Sequence, residues 1–240
     1  MHSLPPAYLE LESIYARTLG QGMRSLAICA ARSGEGVTSL AEALAQRVRV
    51  SGRRVLLVEM NLYQPSLAGH FGVERQAWLP QGGKLAVASS ALPVIHEKEG
   101  LGILPASLDR EAHMRLRDPA VLTHSLQGWL EQYDHVLFDT SPLTATNQYN
   151  IPAEQICAAC EGCLLIVLAG RTSETSVRQA ARRLQAVNAR LVGAVLNDYL
   201  NPCLAAELRR ETWRLQRFAP RLGAWLRERI NASALLNAPI

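Results

Sequence analysis

Hydrophobic residues in this chain fall into short solid blocks, separated by longer stretches in which they recur every third or fourth position. The blocks are 25–30 (SLAICA), 54–59 (RVLLVE), 101–106 (LGILPA), 135–140 (HVLFDT), 163–170 (CLLIVLAG) and 190–197 (RLVGAVLN). Near-continuous apolar runs of this length mark strands covered on both faces, because a half-exposed strand alternates instead. Between the blocks, residues 38–51, 119–132 and 173–188 carry apolar positions at helical spacing, and 8–23 predicts a helix leading in. Residues 63–100 are rich in Gly, Pro, Gln and Ser and predict a loop-dominated stretch. Strand and helix therefore alternate, which implies an α/β fold: a mostly parallel, doubly wound sheet with right-handed crossovers, flanked by helices. The predicted boundaries are a helical lead-in over 1–24, one α/β domain over 25–200 and a basic helical tail over 201–240. Ligands of such sheets bind at the carboxyl ends of the strands. The turn after the first strand, Glu59 to Asn61, Asp139 and Asn197 all fall there.

Bulk properties narrow the class without naming a function. Apolar residues make up 48% of 240, enough for a sizeable core, and no apolar run approaches the roughly 18 residues that span a membrane. The N-terminus lacks a basic segment followed by an apolar one, so a cytoplasmic protein is expected. A net charge of +4 is mild and implies no nucleic-acid partner. Nearly all the basic residues are arginine; the only lysines are Lys84 and Lys98. Five cysteines, an odd number, argue against a disulfide framework.

The chemistry starts at residues 31–39, ARSGEGVTS. The spacing is that of the phosphate-binding pattern G-x-x-x-x-G-K-[ST], with Ala31 for the first glycine and Val37 for the lysine. A strand, a Gly-rich turn and a helix N-terminus converge backbone N–H groups and a helix dipole on one point, which alone can hold an anion. Arg32, Gly34, Glu35, Gly36, Val37, Thr38 and Ser39 are the candidate nucleotide-binding residues. Thr38 is the candidate Mg²⁺ ligand, and Arg32 could supply charge from the other side of the loop. A plain tight turn between strand and helix is the competing reading. Glu59 is a candidate for Mg²⁺ or nucleophile chemistry, or a strand-end acid paired with an arginine. Asp139, closing an apolar strand, is a candidate catalytic and Mg²⁺-binding acid, or a turn aspartate. Asn197 could bind an adenine edge or simply open a turn.

Taken together, ARSGEGVTS at 31–39, VLLVEMNLYQPSLAGHFG at 55–72, LGILPA at 101–106, YDHVLFDTSP at 133–142 and LVGAVLN at 191–197 resemble, in order and spacing, the cytoplasmic domain of the bacterial tyrosine kinases of capsule and exopolysaccharide synthesis. Those kinases belong to the deviant Walker class of P-loop ATPases. The resemblance covers about residues 10–200. It implies a P-loop domain, ATP or ADP with Mg²⁺ as ligand, homo-oligomer formation, and a place in polysaccharide synthesis beside an inner-membrane co-polymerase or synthase subunit.

The departures from the family pattern fall on its catalytic residues, its oligomerisation motif and its substrate tail. Val37 replaces the loop lysine, Glu59 and Asn61 replace two aspartates, and Tyr63 replaces an arginine. The N-terminal ExxRxxR motif is poorly matched around Glu12, and there is no tyrosine-rich tail, Tyr199 being the last tyrosine. Phosphoryl transfer depends on positioned charge, so these losses imply a catalytically impaired, pseudokinase-like accessory or regulatory protein of exopolysaccharide biosynthesis. A weakly active ATPase or kinase is the alternative.

Two features lie outside those motifs. Cys157-x-x-Cys160-x-x-Cys163 has the spacing of a metal or iron–sulfur site, though buried cysteine also serves as a small hydrophobe. Residues 204–230 carry seven arginines against three acids, with Leu204, Leu208, Leu215, Phe218, Leu222, Leu226 and Ile230 at helical spacing. Pro220 divides this stretch into two predicted helices. Such a segment can lie on an anionic membrane surface or dock on a partner, or it can pack on its own domain.

Overall fold

A computed structural model of the chain describes residues 8–62, 64–80, 95–145, 150–199, 208, 212 and 220–233. The chain divides into two compact units, 1–197 and 198–240. In the first, a seven-stranded sheet has the order β3-β4-β2-β5-β1-β6-β7. Its strands are β1 (Ser25–Ala30), β2 (Val55–Met60), β3 (His96–Lys98), β4 (Leu101–Leu104), β5 (His135–Thr140), β6 (Gly162–Leu168) and β7 (Leu191–Asn197). All neighbouring pairs are parallel except β3 with β4. β1, β2, β4 and β5 are buried along their whole length, as their unbroken apolar runs require.

The helices of this unit are α1 (Leu9–Arg17), α2 (Val37–Val50), α3 (Leu67–Phe71), α4 (Arg110–Arg115), α5 (Pro119–Gln132), α6 (Ala153–Ala159) and α7 (Glu174–Ala186). They cover both faces of the sheet. Leu26, Ile28, Val55, Leu57 and Leu137 pack with Leu40, Leu44 and Val48 of α2 and with Leu11 of α1. Ala27, Cys29, Leu56, Val58 and Phe138 pack with Leu122, Leu126 and Trp129 of α5, Ile156 of α6 and Leu184 of α7. The period of two along each strand thus sorts its residues between two cores.

Several boundaries differ from the sequence pattern for local reasons. The lead-in helix stops at Arg17 and passes into a 3₁₀ turn over Leu19–Gln21, closed by Gly22 at φ 93°. The strand expected over 101–106 ends at Leu104, because Pro105 offers no N–H to the ladder. The stretch expected as loop holds the short α3 and the antiparallel strand β3. The β3–β4 turn has positive φ at both Glu99 (52°) and Gly100 (81°), as a two-residue hairpin demands. Helices α5 and α7 start where the sequence caps them: Asp118 accepts from Ala120 N with Pro119 following, and Ser173 accepts from Ser176 N.

In the second unit, helix α8 (Pro220–Ala232) begins at Pro220, where the sequence pattern placed a break. Ile230 is buried, Trp225 is exposed, and the Arg229 guanidinium lies 5.5 Å from the Trp225 ring centroid. The first of the two helices expected over 204–230 lies outside the described residues save Leu208 and Thr212, as does Trp213. No helix among the described residues is long and apolar enough to cross a membrane.

Candidate functional site

β1, an interior strand of the sheet, is where the winding reverses. From β1 the chain crosses to β2, and later from β5 to β6 on the other side of β1. The crevice at such a reversal is where ligands of doubly wound sheets bind. Residues 31–36 occupy it, between the end of β1 and the first residue of α2. The turn needs its glycines: Gly34 has φ 80° and Gly36 φ 103°. A Cβ on Gly36 would also come within 2.6 Å of Asn197 Nδ2.

The loop is tied down on several sides. Glu35 is buried, and its carboxylate accepts from Arg32 N at 3.1 Å and from Thr172 Oγ1 at 2.5 Å. Asn197, at the end of β7, donates from Nδ2 to Glu35 O at 2.9 Å. Ser33 Oγ donates to Gln64 Oε1 at 2.8 Å. The Asn197 amide, which the sequence offers either to an adenine edge or to a turn, is bonded to the loop. Arg32 is exposed, and Ser39 is half-buried in the first turn of α2. Val37 opens α2, half-buried against the apolar cluster between the sheet and that helix. The lysine position therefore carries a packing residue.

Asp139 is the one candidate acid with an open oxygen. It lies fully buried one residue before the end of β5, and its Oδ2 accepts from Thr38 Oγ1 at 2.7 Å. Its Oδ1 has no hydrogen-bond partner among the described residues. Burial pushes the Asp139 carboxyl up to about 7; the Thr38 bond opposes this, while the charges of Glu59 and Glu42 add to it. Thr38 and Asp139, separated by about a hundred residues in sequence, thus form a preassembled pair at the phosphate loop. They fit a magnesium-bound nucleotide in the donor chemistry they offer: a hydroxyl, a buried carboxylate oxygen lacking a donor, and backbone N–H groups at the start of a helix. No metal-binding group of three or more His, Cys, Asp or Glu occurs among the described residues.

Glu59 is the register neighbour of Asp139 across β2 and β5, and it too is fully buried. Its environment is different. Oε1 accepts from Ser66 N and from Leu67 N (2.8 Å), and Oε2 accepts from Ala106 N (3.1 Å). The carboxylate caps α3 and pins the turn after β4. Neither an arginine nor a hydroxyl stands against it among these contacts, so the expected arginine pairing gives way to three backbone amides. Asn61 accepts from Gln64 N at 3.2 Å and shapes the following turn.

The cysteines group differently from their spacing. The thiols of Cys29, Cys157 and Cys163 contact one another in the core between the sheet and α6. Cys160 stands apart from that trio, buried at the end of α6, where burial pushes its thiol well above the ordinary range. The Cys157, Cys160 and Cys163 metal site suggested by the repeat is thus corrected. Cys160 is the residue after α6, where the chain has already left the helix for an extended conformation, and Cys29 on β1 completes the thiol trio.

Sequence reasoning missed Thr172 and Glu42. Thr172 follows β6 in a turn that gives no motif, so nothing local identifies it as a partner of Glu35. Glu42 lies one turn beyond Thr38 on α2, and that i, i+4 spacing could have placed it near Asp139.

The same architecture recurs in known proteins. A family model described as "Cellulose biosynthesis protein BcsQ" matches residues 23–200. Tyrosine-protein kinase YwqD of Bacillus subtilis (strain 168) is 27% identical over 184 residues, covering 73% of this chain and 72% of that protein. Succinoglycan biosynthesis transport protein ExoP of Rhizobium meliloti (strain 1021) is 23% identical over 74% of this chain, which spans only 22% of its length. The kinase domain of the Escherichia coli tyrosine kinase ETK has a TM-score of 0.64 at 21% identity, over 78% of this chain and 71% of that one. Cobyrinic acid a,c-diamide synthase from Mycobacterium smegmatis, solved with a bound ATP analog and magnesium, has a TM-score of 0.56 at 22% identity, covering 72% of this chain and 74% of that one. The resemblance to polysaccharide-kinase P-loop domains thus stands in sequence and fold, and the chain belongs to the family of the cellulose biosynthesis protein BcsQ.

Proposed function

We propose that this protein is a catalytically impaired, pseudokinase-like subunit of exopolysaccharide biosynthesis or export. It binds a nucleotide with Mg²⁺ as a regulatory or structural ligand and acts by docking on an inner-membrane co-polymerase or synthase subunit, at the inner face of that membrane. The observation that carries this reading is the split in the site. Thr38, Asp139 and the Gly-rich turn keep the form of a phosphate and metal site, while the lysine position holds Val37, half-buried against the edge of the core. Phosphoryl transfer needs charge on the outer phosphates in the transition state, and valine provides none. Binding is less demanding, since backbone N–H groups at a helix N-terminus hold anions unaided. The names of YwqD and ExoP, a tyrosine kinase and a polysaccharide transport protein, support the pathway.

In this site Thr38 Oγ1 and Asp139 Oδ1 would hold the metal, and residues 34–39 the phosphates. Mg²⁺, when bound, neutralises phosphate charge. The basic stretch 204–230 is proposed as the contact to the anionic membrane surface, or to the partner subunit lying against it.

Calorimetric titration with ATP and Mg²⁺, run beside a phosphate-release assay, tests the reading. Saturable binding that Asp139→Ala abolishes, with no turnover, is the expected result. Robust hydrolysis by the wild type, unchanged in Val37→Lys, would replace it with the reading of an active ATPase or kinase.

A further inference from the structure

We propose that Arg171 is a phosphate-binding residue of this site, which with Arg32 supplies the positive charge that the lysine-free loop lacks, and that the group they clamp is the di- or triphosphate chain of a nucleotide. This rests on the nucleotide-binding reading above and adds the residues that make such binding electrostatically feasible.

Apart from Arg32 and the buried, bonded Glu35, the loop offers only N–H groups and a hydroxyl, with no lysine. Of the two lysines, Lys98 sits in β3 opposite Leu101, the first residue of β4, and hence at the amino end of the sheet, and Lys84 lies outside the described residues. A polyphosphate is anionic, and the acids of this site, Glu35, Asp139 and Glu42, are of the same sign when ionised. A cation must come from a neighbouring segment.

Two exposed arginines meet that need. Arg32 is in the loop itself, and Arg171 is in the turn between β6 and α7. One buried carboxylate ties the two segments together: Glu35 accepts from the backbone N–H of Arg32 through one oxygen and from the side-chain hydroxyl of Thr172, the residue after Arg171, through the other. The turn carrying Arg171 is closed by its own hydrogen bonds. Arg171 N donates to Leu168 O at 3.1 Å, and Leu168 N donates to Thr172 Oγ1 at 3.0 Å. Glu35 thus holds the two arginine-bearing segments side by side at the mouth of the loop.

Their side chains are also available. Arg47, Arg49, Arg54, Arg115 and Arg178 each pair with a glutamate. Arg24, Arg75 and Arg183 bind carbonyl oxygens. The guanidinium groups of Arg32 and Arg171 have no partner among the described residues. The acid close to Arg171 in sequence, Glu174, is paired with Arg178. A planar guanidinium grips phosphate oxygens bidentately, which suits two arginines to a chain of phosphates.

The test is calorimetric titration of the full chain with ADP and Mg²⁺, and separately with pyrophosphate and Mg²⁺. The proteins are the wild type, Arg171→Ala, Arg171→Lys, Arg32→Ala and, as control, Arg190→Ala, an exposed arginine just before β7 at the other end of the sheet. Arg171→Ala should weaken both ligands by about tenfold or more. Arg32→Ala should act in the same direction, Arg171→Lys should lose less, and Arg190→Ala should match the wild type. Equal losses on ADP and pyrophosphate assign Arg171 to the phosphates rather than the base. An unchanged urea midpoint of Arg171→Ala rules out a folding effect. If the wild type binds ADP and Arg171→Ala binds it equally well, this inference falls and the nucleotide reading stands. If the wild type binds neither ligand at millimolar concentration, both fall.

Discussion

Glu59 and Asp139 are buried acids on adjacent strands, paired in register and facing the same helix layer, yet they do opposite work. Glu59 accepts three backbone N–H bonds and has become part of the frame. Asp139 accepts one side-chain bond and keeps a buried oxygen without a donor. A fold leaves a buried carboxylate oxygen open at a cost of a few kcal/mol, and it persists where something else, a metal or a ligand, completes it. The contrast separates the two acids more sharply than the motif does, because both occupy motif positions, and it is the ground for the proposed ligand-binding role of Asp139.

The largest expected effect breaks the structural half of this contrast. Glu59→Ala removes the acceptor of three amides, one of them at the N-terminus of α3, and should lower unfolding stability by roughly 4 kcal/mol, read from urea denaturation. A loss under about 1 kcal/mol would mean that the amides find other partners and Glu59 is not a frame residue.

The next effect has the opposite sign. The folded-state value for Asp139 is raised from 3.8 to about 7, so the native state holds a proton that the unfolded chain releases. The stability this contributes is fully present below about 4 and is lost as pH rises toward 7. Asp139→Asn should therefore stabilise the ligand-free protein by roughly 1–3 kcal/mol at pH 8 and flatten the decline between pH 4 and 7, while abolishing Mg²⁺-dependent nucleotide binding. A destabilised Asp139→Asn at pH 8 would place Asp139 beside Glu59 as a structural acid.

Two smaller effects probe the loop around Asp139. Gly36→Ala puts a Cβ at a residue with φ 103° and against Asn197, and should cost roughly 2 kcal/mol in stability as well as weakening phosphate binding. Thr172→Val removes the hydroxyl bound to Glu35 and should cost about 1 kcal/mol by the same urea measurement. Equal thermal midpoints for Thr172→Val and the wild type would mean that the tie between the loop and the β6–α7 turn contributes nothing to the fold.

The strands and main helices could be read along the chain because their cause is local. A strand buried on both faces must be apolar throughout, and a capped helix announces itself by Asp118-Pro119 or Ser173. β3 and α3 could not be read this way. β3 is three polar residues held by a neighbouring strand, and α3 is five residues capped by a carboxylate from another element. The site divides in the same manner. Val37, Thr38 and Asp139 were legible as motif positions, whereas the roles of Glu59, Asn197 and Cys160 were not, because each depends on which backbone or side chain arrives from a distant segment.

The sequence by itself determined the alternation of strand and helix, the Gly-rich turn at the end of the first strand, and the missing lysine, since all three are set by residue type at fixed local spacing. Tertiary structure alone decided which of two equivalent acids stays open, that Val37 packs half-buried against the core, that Asn197 and Thr172 hold the loop, and that Cys29 replaces Cys160 in the thiol cluster. Those outcomes depend on hydrogen-bond donors and neighbours brought together from separate elements of the chain, as far as 162 residues apart, and spacing along the chain carries no record of them.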